Sequence, residues 1–474
     1  MSDAPASSSG PEAPEAPDAA GVFARERRAL TIGIVLAIMA FAAEGMGVVP
    51  ALPSAVRELH GLPLFGWVFS TFMLAWLVGT IAGGQLADQH GPRRPTALGL
   101  LGFGGGLLLA ASAQGMAQFL AGRLLQGLGG GAMGAAAYVA VARGYPDRLR
   151  ARMMALISSM WILPAIVGPA VSGFLVEHTS WRVVIAGVLP LLVVIALLAL
   201  PAMRPLAVAK PAGAPEASRT VAALRLALGV GLVMGAADLR PHGLIWALAS
   251  GGVGLVLLLP ALRALLPAGT LLARPGLPAG ILARGLLGFA FFGSEAFVPL
   301  TAIELHGATP TQAGLALTAG ALGWTGASWL RDRLESAGGA AQRARYVVIG
   351  FLLLALGIAA VAAVLISPLP LYLVPIGWAL GGAGIGTAYN AGSLICIAAA
   401  PPGREGEVSG QLQLTEALGT AVGTGLGGIL LALGLKLGVG AHSAHALIFA
   451  LPLTAALVGG AVARRIDLAA AQRQ

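Results

Sequence analysis

The chain has 474 residues, of which 57% are hydrophobic and only 10% are charged, whereas about a quarter of the residues in an ordinary soluble domain are charged. These proportions exclude a soluble enzyme and a nucleic-acid-binding protein, although the net charge is +9. Neither Lys210 nor Lys436 lies in the Gly-Lys-Ser/Thr triplet of a phosphate-binding loop, so ATP hydrolysis by that route is excluded. The single cysteine, Cys396, excludes a disulfide framework and a thiolate metal cluster, and we expect no metal and no cofactor other than a proton.

The start of the chain differs from the rest in composition. Residues 1–24 are mainly Ala, Pro, Ser, Glu and Asp, which cannot bury a core, so residues 1–28 are predicted to be a disordered tail. Arg25, Arg27 and Arg28 then precede an apolar run of more than twenty residues. The apolar run of a signal peptide has about 7–15 residues. This longer run is therefore interpreted as a retained first transmembrane helix.

Long uncharged stretches separated by short charged segments follow along the chain. A helix needs about 20 apolar residues to cross the hydrocarbon core of a bilayer. Stretches near that length predict fourteen spans in an all-α membrane protein, over residues 30–53, 65–87, 96–114, 116–142, 153–176, 183–203, 220–238, 243–264, 277–301, 309–330, 346–367, 369–398, 408–434 and 443–463.

The positions of Arg and Lys test this count, because the cytoplasmic loops of membrane proteins are rich in both. With fourteen spans and a cytoplasmic N-terminus, the opposite side receives only Arg57, Arg182, Arg240 and Lys436. The weakest span, 220–238, is kept because its omission would move all later basic loops to that side. We therefore expect a multi-pass protein of the bacterial inner membrane with both termini in the cytoplasm.

Two parts of the chain resemble each other. Glu44 precedes a Glu-Leu-His-Gly segment at 58–61, and Glu295 precedes the same four residues at 304–307. Duplicated halves are one plan of membrane transporters. We predict six-helix bundles over 29–204 and 276–465, a linker with two extra helices over 205–275, and a cytoplasmic tail over 466–474.

Residues 84–94 read Gly-Gln-Leu-Ala-Asp-Gln-His-Gly-Pro-Arg-Arg and follow the second span. This segment resembles the signature loop of the major facilitator superfamily, although Gln89 and Pro92 replace two basic positions. The resemblance implies a loop that controls closure of the cytoplasmic side. It further implies that Asp88 caps a helix of the opposite half and pairs with Arg93. The gating residues predicted here are Gly84, Asp88, Gly91 and Arg93.

Arg123, Gln126 and Gly127 in the fourth span resemble the Arg-x-x-Gln-Gly motif of the same superfamily. A charged residue inside a span is costly and by default suggests a function, with structural pairing as the alternative. The glycines at 127 and 129–131 allow a neighbouring helix to approach closely.

Two further features resemble the drug:proton antiporters of the superfamily with fourteen spans. Gly168, Pro169 and Gly173 in the fifth span resemble the antiporter motif Gly-x-x-x-Gly-Pro-x-x-Gly-Gly, with Pro164 and Ser172 in place of two glycines. Glu44 stands nine residues before Pro53 of an Ala-Leu-Pro segment, where that branch has an aspartate. The two extra spans also fit the branch.

The second half contributes a polar stripe in span thirteen. Its members lie at helical spacing on one face, which predicts a water-filled cavity or, alternatively, a helix contact. The stripe consists of Ser409, Gln413, Glu416, Thr420 and Thr424. Candidates for the cavity walls are Tyr138, Trp161, Trp324, Tyr389 and Asn390, each of which could instead pack between helices.

These residues support a mechanistic hypothesis. Burial makes a carboxyl group hold its proton, and a nearby cation favours proton release. We expect Glu44 and at least one of Glu295 and Glu416 to carry protons, with Arg123 tuning Glu44. The predicted protein exports amphipathic, cationic small molecules in exchange for protons and is not an enzyme. The alternatives are an exporter or flippase for a lipid or natural product, a membrane enzyme, and a receptor that does not transport.

Overall fold

The computed structural model describes residues 21–206, 217–239, 243–338, 342–367 and 369–466. Within these ranges every regular element is a helix and no strand occurs. Residues 1–20 of the predicted N-terminal tail, 207–216 and 240–242 of the predicted linker, and 467–474 of the predicted C-terminal tail lie outside the described residues. The helices are α1 (Arg28–Glu58), α2 (Phe65–His90), α3 (Arg93–Ala111), α4 (Met116–Gly144), α5 (Asp147–Ser159), α6 (Ile162–His178), α7 (Trp181–Ala186), α8 (Leu189–Ala202), α9 (Ala217–Leu239), α10 (Leu244–Leu265), α11 (Leu277–Glu295), α12 (Val298–His306), α13 (Pro310–Gly338), α14 (Arg343–Ile366), α15 (Leu373–Ala398), α16 (Glu405–Lys436) and α17 (Ala441–Ala463).

Three of the predicted spans consist of two consecutive helices. The breaks separate α5 from α6, α7 from α8 and α11 from α12. A proline follows each break within the first three residues of the next helix, at Pro164, Pro190 and Pro299. Proline lacks the backbone N–H and clashes with the preceding turn, so a continuous helix is interrupted just before it.

Twelve helical segments in the described ranges are long and apolar enough to cross a membrane. The predicted count of fourteen spans is therefore not confirmed. The two stretches that differ, 309–330 and 369–398, correspond to α13 and α15, which are 29 and 26 residues long but are not among the twelve. Both helices are rich in glycine and carry polar side chains such as Asn390, which lowers their hydropathy.

The helix ends alternate between two ends of the molecule. The basic end holds the start of α1, the turn between α2 and α3, and the pair of Arg343 with Glu335 between α13 and α14. The opposite end holds both Glu-Leu-His-Gly segments, where Arg57 of α1 lies 2.8 Å from Glu304 of α12.

The first-half helices, α1–α8, pack mainly against one another, and so do the second-half helices, α11–α17. In the first half α4 lies between α2 and α3. Gly129 of α4 sits so close to α3 that a Cβ atom there would come within 2.8 Å of the Gly102 carbonyl carbon. Small residues permit this approach of two helix backbones.

The two halves contact each other toward the opposite end. There α2 packs on α16 and α6 packs on α13. The Ser70 hydroxyl donates to the Ala421 carbonyl at 2.7 Å, and the Thr318 hydroxyl donates to the Ile166 carbonyl at 2.9 Å. Toward the basic end, side chains of the two halves are exposed to a space between them, which we call the central space. Tyr138 of the first half lies opposite Tyr389 of the second half across it, and Trp161, Asn390 and Gln413 are exposed as well.

The pair α9 and α10 lies beside the junction of α2 and α16. Trp67 at the start of α2 donates to Asp238 at the end of α9, at 2.9 Å. Thr220 at the start of α9 donates to Gln85 near the end of α2. The α9 helix therefore runs along the length of α2, and α10 packs on α9.

Candidate functional site

The first group of charged residues lies within the first half, between α1, α2 and α4. Glu44 is 2% exposed and forms an ion pair with Arg123, which is 3% exposed. The same guanidinium donates to the Gln126 side chain and, at 3.4 Å, to the Val68 carbonyl. The positions predicted from the fourth-span motif are therefore brought together with Glu44. Glu44 Oε2 is buried and accepts no hydrogen bond within the described residues.

Aromatic side chains surround this ion pair. The Arg123 guanidinium carbon lies 4.2 Å from the centre of the Phe72 ring, which allows a cation–π interaction. Phe41 lies between Phe72, Trp76 and Trp161, with ring centres 5.7–6.4 Å away. Because Trp161 is exposed, the aromatic group extends from the buried ion pair to the surface of the first half.

A second group of charged residues lies within the second half, between α11, α15 and α16. Arg284 Nη1 lies 3.6 Å from Glu416 Oε2, and the Tyr389 hydroxyl donates to the same oxygen at 2.9 Å. Arg284 Nη2 donates to the Tyr389 carbonyl and to the Ser393 hydroxyl. The Arg284 guanidinium carbon also lies 3.5 Å from the centre of the Tyr389 ring. The arrangement is the second-half counterpart of the pair formed by Glu44 and Arg123.

The sequence analysis did not predict this second arginine. Glu416 was predicted from the polar stripe alone, and the residue that neutralises it comes from another helix, α11. A charged residue in the middle of an apolar span has to be paired. Because Arg284 also lies within an apolar span, the same rule predicts a carboxylate partner for it, and Glu416 is that partner.

Glu295, the third predicted carboxylate, lies elsewhere. It is at the end of α11, at the break before α12, beside the buried indole of Trp378. Within the described part of the chain, no arginine, lysine or histidine forms an ion pair with it. Phe291 stacks on Trp378 with ring centres 5.0 Å apart and meets Trp324 edge-on. Glu295 is therefore beside aromatic rings and not beside a cation.

The predicted polar stripe on α16 divides into two parts. Gln413 is exposed toward the central space, while Thr424 is fully buried and lies 3.2 Å from the Ser70 hydroxyl of α2. The stripe thus faces the cavity near the basic end and a helix contact near the opposite end. Among the predicted wall residues, Tyr138 is 44% exposed and lies opposite Tyr389, and Asn390 is exposed.

The predicted signature loop has a different partner from the one expected. Asp88 lies 3.6 Å from Arg143 of α4, and Arg143 also donates to the Ala87 and Asp88 carbonyls. In this conformation Asp88 contacts Arg143, and the pairing of Asp88 with Arg93 and the cap on a helix of the opposite half stay predictions. The halves are apart at the basic end, so the cap across the halves is not formed in this conformation, and Asp88 contacts an arginine of its own half.

The remaining loop residues have local roles in this arrangement. Gly91 ends α2 with a φ of 79°, a left-handed conformation that favours glycine. Gly84 has its nearest neighbour beyond its own helix in Ala135 of α4. Arg93 is exposed at the start of α3.

The predicted antiporter motif lies at the contact between α6 and α13. A Cβ atom at Gly173 would meet the Pro310 backbone, and the Pro169 carbonyl lies directly against Gly314. Gly168 has more room, with Met46 as its neighbour. The motif therefore places two backbones in direct contact across the halves.

Comparison with solved structures defines the class of protein. The fold is similar to that of PepTSo, a transporter of the POT family, with a TM-score of 0.68 at 14% identity over 94% of this chain and 98% of that chain. At this identity the likeness concerns the fold alone. The class is that of the multi-pass helical membrane proteins.

Sequence comparison identifies the family. The model of the Major Facilitator Superfamily matches residues 30–424, and the chain belongs to this superfamily. A probable multidrug-efflux transporter of Mycobacterium tuberculosis is 26% identical over 430 residues, which are 85% of this chain and 88% of that protein. Multidrug resistance protein 3 of Bacillus subtilis is 29% identical over 153 residues, 32% of this chain and 30% of that protein. The predicted family is confirmed, and the protein is a transporter and not an enzyme.

Proposed function

We propose that the protein is a proton-coupled exporter of amphipathic, cationic small molecules, in which Glu44 and Glu416 bind and release protons. The observation that carries this proposal is that each half holds one carboxylate beside an arginine, close to the central space. The names of the mycobacterial and Bacillus relatives support a role in drug efflux. A proton and a cationic substrate then compete for the same carboxylates.

The substrate class follows from the charges and rings of the interior. The groups described above contain three glutamates and two arginines. Glu295 has no arginine beside it and accounts for the one net negative charge. When all are ionised, they favour a positively charged ligand. The rings of Phe41, Trp161 and Trp324 offer flat apolar surfaces that bind cations through their π faces. An amphipathic cation matches both properties.

The transport cycle alternates access between the two ends. In the described conformation the halves meet at the opposite end, and the central space faces the basic end, which we assign to the cytoplasm. A substrate that enters there displaces protons from the carboxylates. The membrane potential supplies about 2.3 kcal/mol for each 100 mV and each net charge that moves inward, that is, for each proton in excess of the charge on the exported substrate. At about 1.4 kcal/mol per decade this supports a substrate gradient of roughly fifty-fold.

The proposed topology has fourteen membrane-spanning segments in the bacterial inner membrane, with both termini in the cytoplasm. The alternation of helix ends supports it, since α13 and α15 run in the directions that this topology requires. The packing of α1–α8 and of α11–α17 supports two bundles over 29–204 and 276–465, with α9 and α10 as an insert within 205–275. The protein then belongs to the branch of drug:proton antiporters with fourteen spans.

Transport by purified protein in liposomes tests the proposal. We expect wild-type protein to move ethidium when a pH gradient is imposed, and Glu44→Gln and Glu416→Gln to lose most of this transport because neither can bind a proton. The matched control is Glu407→Gln, which removes a carboxylate at the start of the helix that carries Glu416, paired with Arg404. It should transport like the wild type.

Two outcomes would contradict the proposal. Gradient-driven transport at the wild-type rate by Glu44→Gln would exclude Glu44 as a proton carrier. Wild-type protein that does not move ethidium at all would exclude this substrate class, and lipids and neutral natural products would then be tested in the same liposomes.

Tyr389→Phe is expected to lower the rate of proton-driven transport about tenfold. The variant removes the hydroxyl that donates to Glu416 Oε2, and a hydrogen bond to a charged group contributes about 1.5–3 kcal/mol. Tyr346→Phe is the matched control, because the Tyr346 hydroxyl donates to Gln342 at the start of α14. Equal rates in both variants would show that the hydroxyl on Glu416 does not contribute to transport.

A further inference from the structure

The first turn of α13 depends on both halves for its hydrogen bonds. The first N–H groups of a helix have no acceptor within the helix and need one outside it. Thr309 and Gln312 satisfy each other, because the Gln312 N–H donates to the Thr309 hydroxyl at 3.3 Å and the Thr309 N–H donates to the Gln312 side chain at 3.0 Å. The Ala313 N–H donates to the Thr309 carbonyl, and Pro310 has no N–H. Within this described turn, the Thr311 N–H is left without an acceptor from its own half.

A carboxylate of the first half supplies the missing acceptor. Glu177 is the last residue but one of α6, and its Oε2 lies 2.6 Å from the Thr311 hydroxyl oxygen and 3.4 Å from the Thr311 backbone nitrogen. Both groups donate to this oxygen. The start of a helix carries a partial positive charge, which favours an anion there. Glu177 therefore caps a helix of the opposite half.

Gly173 explains why Glu177 reaches the start of α13. Residues four apart lie on the same face of a helix, so Glu177 follows Gly173 by one turn on the face that meets α13. A Cβ atom at Gly173 would lie 2.3 Å from the Pro310 carbonyl oxygen, so the two backbones are in direct contact there. The next turn of α6 then places the Glu177 carboxylate beside Thr311.

The cap differs from the pairing of the neighbouring carboxylate Glu58. Glu58 pairs with Arg182 of its own half, so that pair does not depend on the separation of the halves. Glu177 is exposed and its partner Thr311 belongs to the second half, so this contact has to break when the opposite end opens. Water can then satisfy the carboxylate and the N–H group. The cap can therefore form and break in every transport cycle.

We propose that Glu177 is a positioning residue of transport, whose carboxylate holds the opposite end closed by capping α13 and releases α13 when that end opens. The inference rests on the alternating access of the proposed function and not on the identity of the substrate. Asp88 is predicted to cap a helix of the opposite half at the basic end, and Glu177 does so at the opposite end. One carboxylate of the first half then secures each of the two closed conformations.

The rate of thiol modification between the halves tests this role and needs no transported substrate. The reporter protein carries Thr318→Cys in a Cys396→Ala background, which places its single thiol between α6 and α13. An impermeant maleimide is added outside intact cells, because the opposite end faces outward in the proposed topology. We expect Glu177→Ala to raise the initial rate about fivefold, the size that a contact of an exposed charged group permits. The matched control, Glu58→Ala, should stay within about twofold of the reporter protein, since its pair lies within one half.

A double-mutant cycle separates the cap from a general loosening of the structure. Thr311→Val removes the hydroxyl donor and should raise the modification rate about threefold. Thr311→Val combined with Glu177→Ala should react no faster than Glu177→Ala alone, because the contact is already lost. Effects that multiply, a Glu177→Ala rate equal to that of the reporter protein, or an equal acceleration by Glu58→Ala would overturn the inference. Failure of the wild type to transport ethidium would instead contradict only the proposed function.

Discussion

Gly173→Ala is expected to reduce transport at least tenfold. The new Cβ atom would lie 2.8 Å from the Pro310 carbonyl carbon and from Thr311 Cα, which are backbone atoms that cannot move without shifting α13. Overpacking of this kind costs about 1–3 kcal/mol. Because the contact between α6 and α13 exists only when the opposite end is closed, the cost falls on that conformation. The measurement is the initial rate of ethidium movement in liposomes.

The matched control for Gly173→Ala is Gly168→Ala, in the same motif and helix. Its Cβ atom would lie 3.5 Å from Met46 Cβ, an ordinary contact, so we expect transport near the wild-type rate. A cysteine at Thr318, in a Cys396→Ala background, reports closure of the opposite end through its reaction with an impermeant maleimide. This reaction should be faster in Gly173→Ala than in Gly168→Ala. Equal transport by the two variants would contradict the role assigned to the contact.

Arg123→Gln is expected to lower the free energy of unfolding by about 3–5 kcal/mol and to abolish proton-driven transport. The variant leaves Glu44, which is 2% exposed, without its cation, and removing one partner of a buried ion pair leaves an uncompensated charge. Arg123→Lys should recover only part of the loss, because lysine lacks the planar group that contacts both Phe72 and Glu44. Thermal unfolding in detergent measures the stability.

A double-mutant cycle separates the charge effect from a general loss of packing. Glu44→Gln combined with Arg123→Gln should be more stable than Arg123→Gln alone, since no unpaired charge remains, and should still not transport. Strictly additive losses of stability would mean that the two side chains do not interact energetically in the folded protein.

Sequence alone predicted the parts of the structure that depend on local patterns. Each predicted span coincides with one helix or with two consecutive helices, because helix formation in a membrane depends on a run of some twenty apolar residues. The contact of Arg123 with Gln126 was within reach because a family motif marks the two residues together, and the contact of Arg123 with Glu44 because both are charged residues within apolar spans. The stretches that form α13 and α15 were predicted as spans because they are uncharged. Their glycines and polar residues nevertheless make them less hydrophobic than the other spans.

Contacts between distant helices could not be predicted in the same way. Asp88 and Arg143 lie on α2 and α4, and no pattern in either helix indicates which arginine is nearer. The partner of Arg284 could have been predicted by excluding the other carboxylate of the second half that lies within a span, Glu295. Glu295 is eleven residues further along the same helix, about 16 Å away at 1.5 Å per residue, so the arginine cannot reach it and Glu416 remains.

The two buried ion pairs have a consequence for the energetics of alternation. Each pair lies within one half, whereas the one ion pair described between the halves, Arg57 with Glu304, is largely exposed at its arginine and contributes about 0–1 kcal/mol. A rigid rotation of one half against the other leaves the separations within each buried pair unchanged. The Coulomb energy of those pairs therefore cancels from the difference between the two conformations. What remains is set by the contacts between the halves, such as those of α6 with α13 and of α2 with α16, and a protonation or a bound cation acts on that difference.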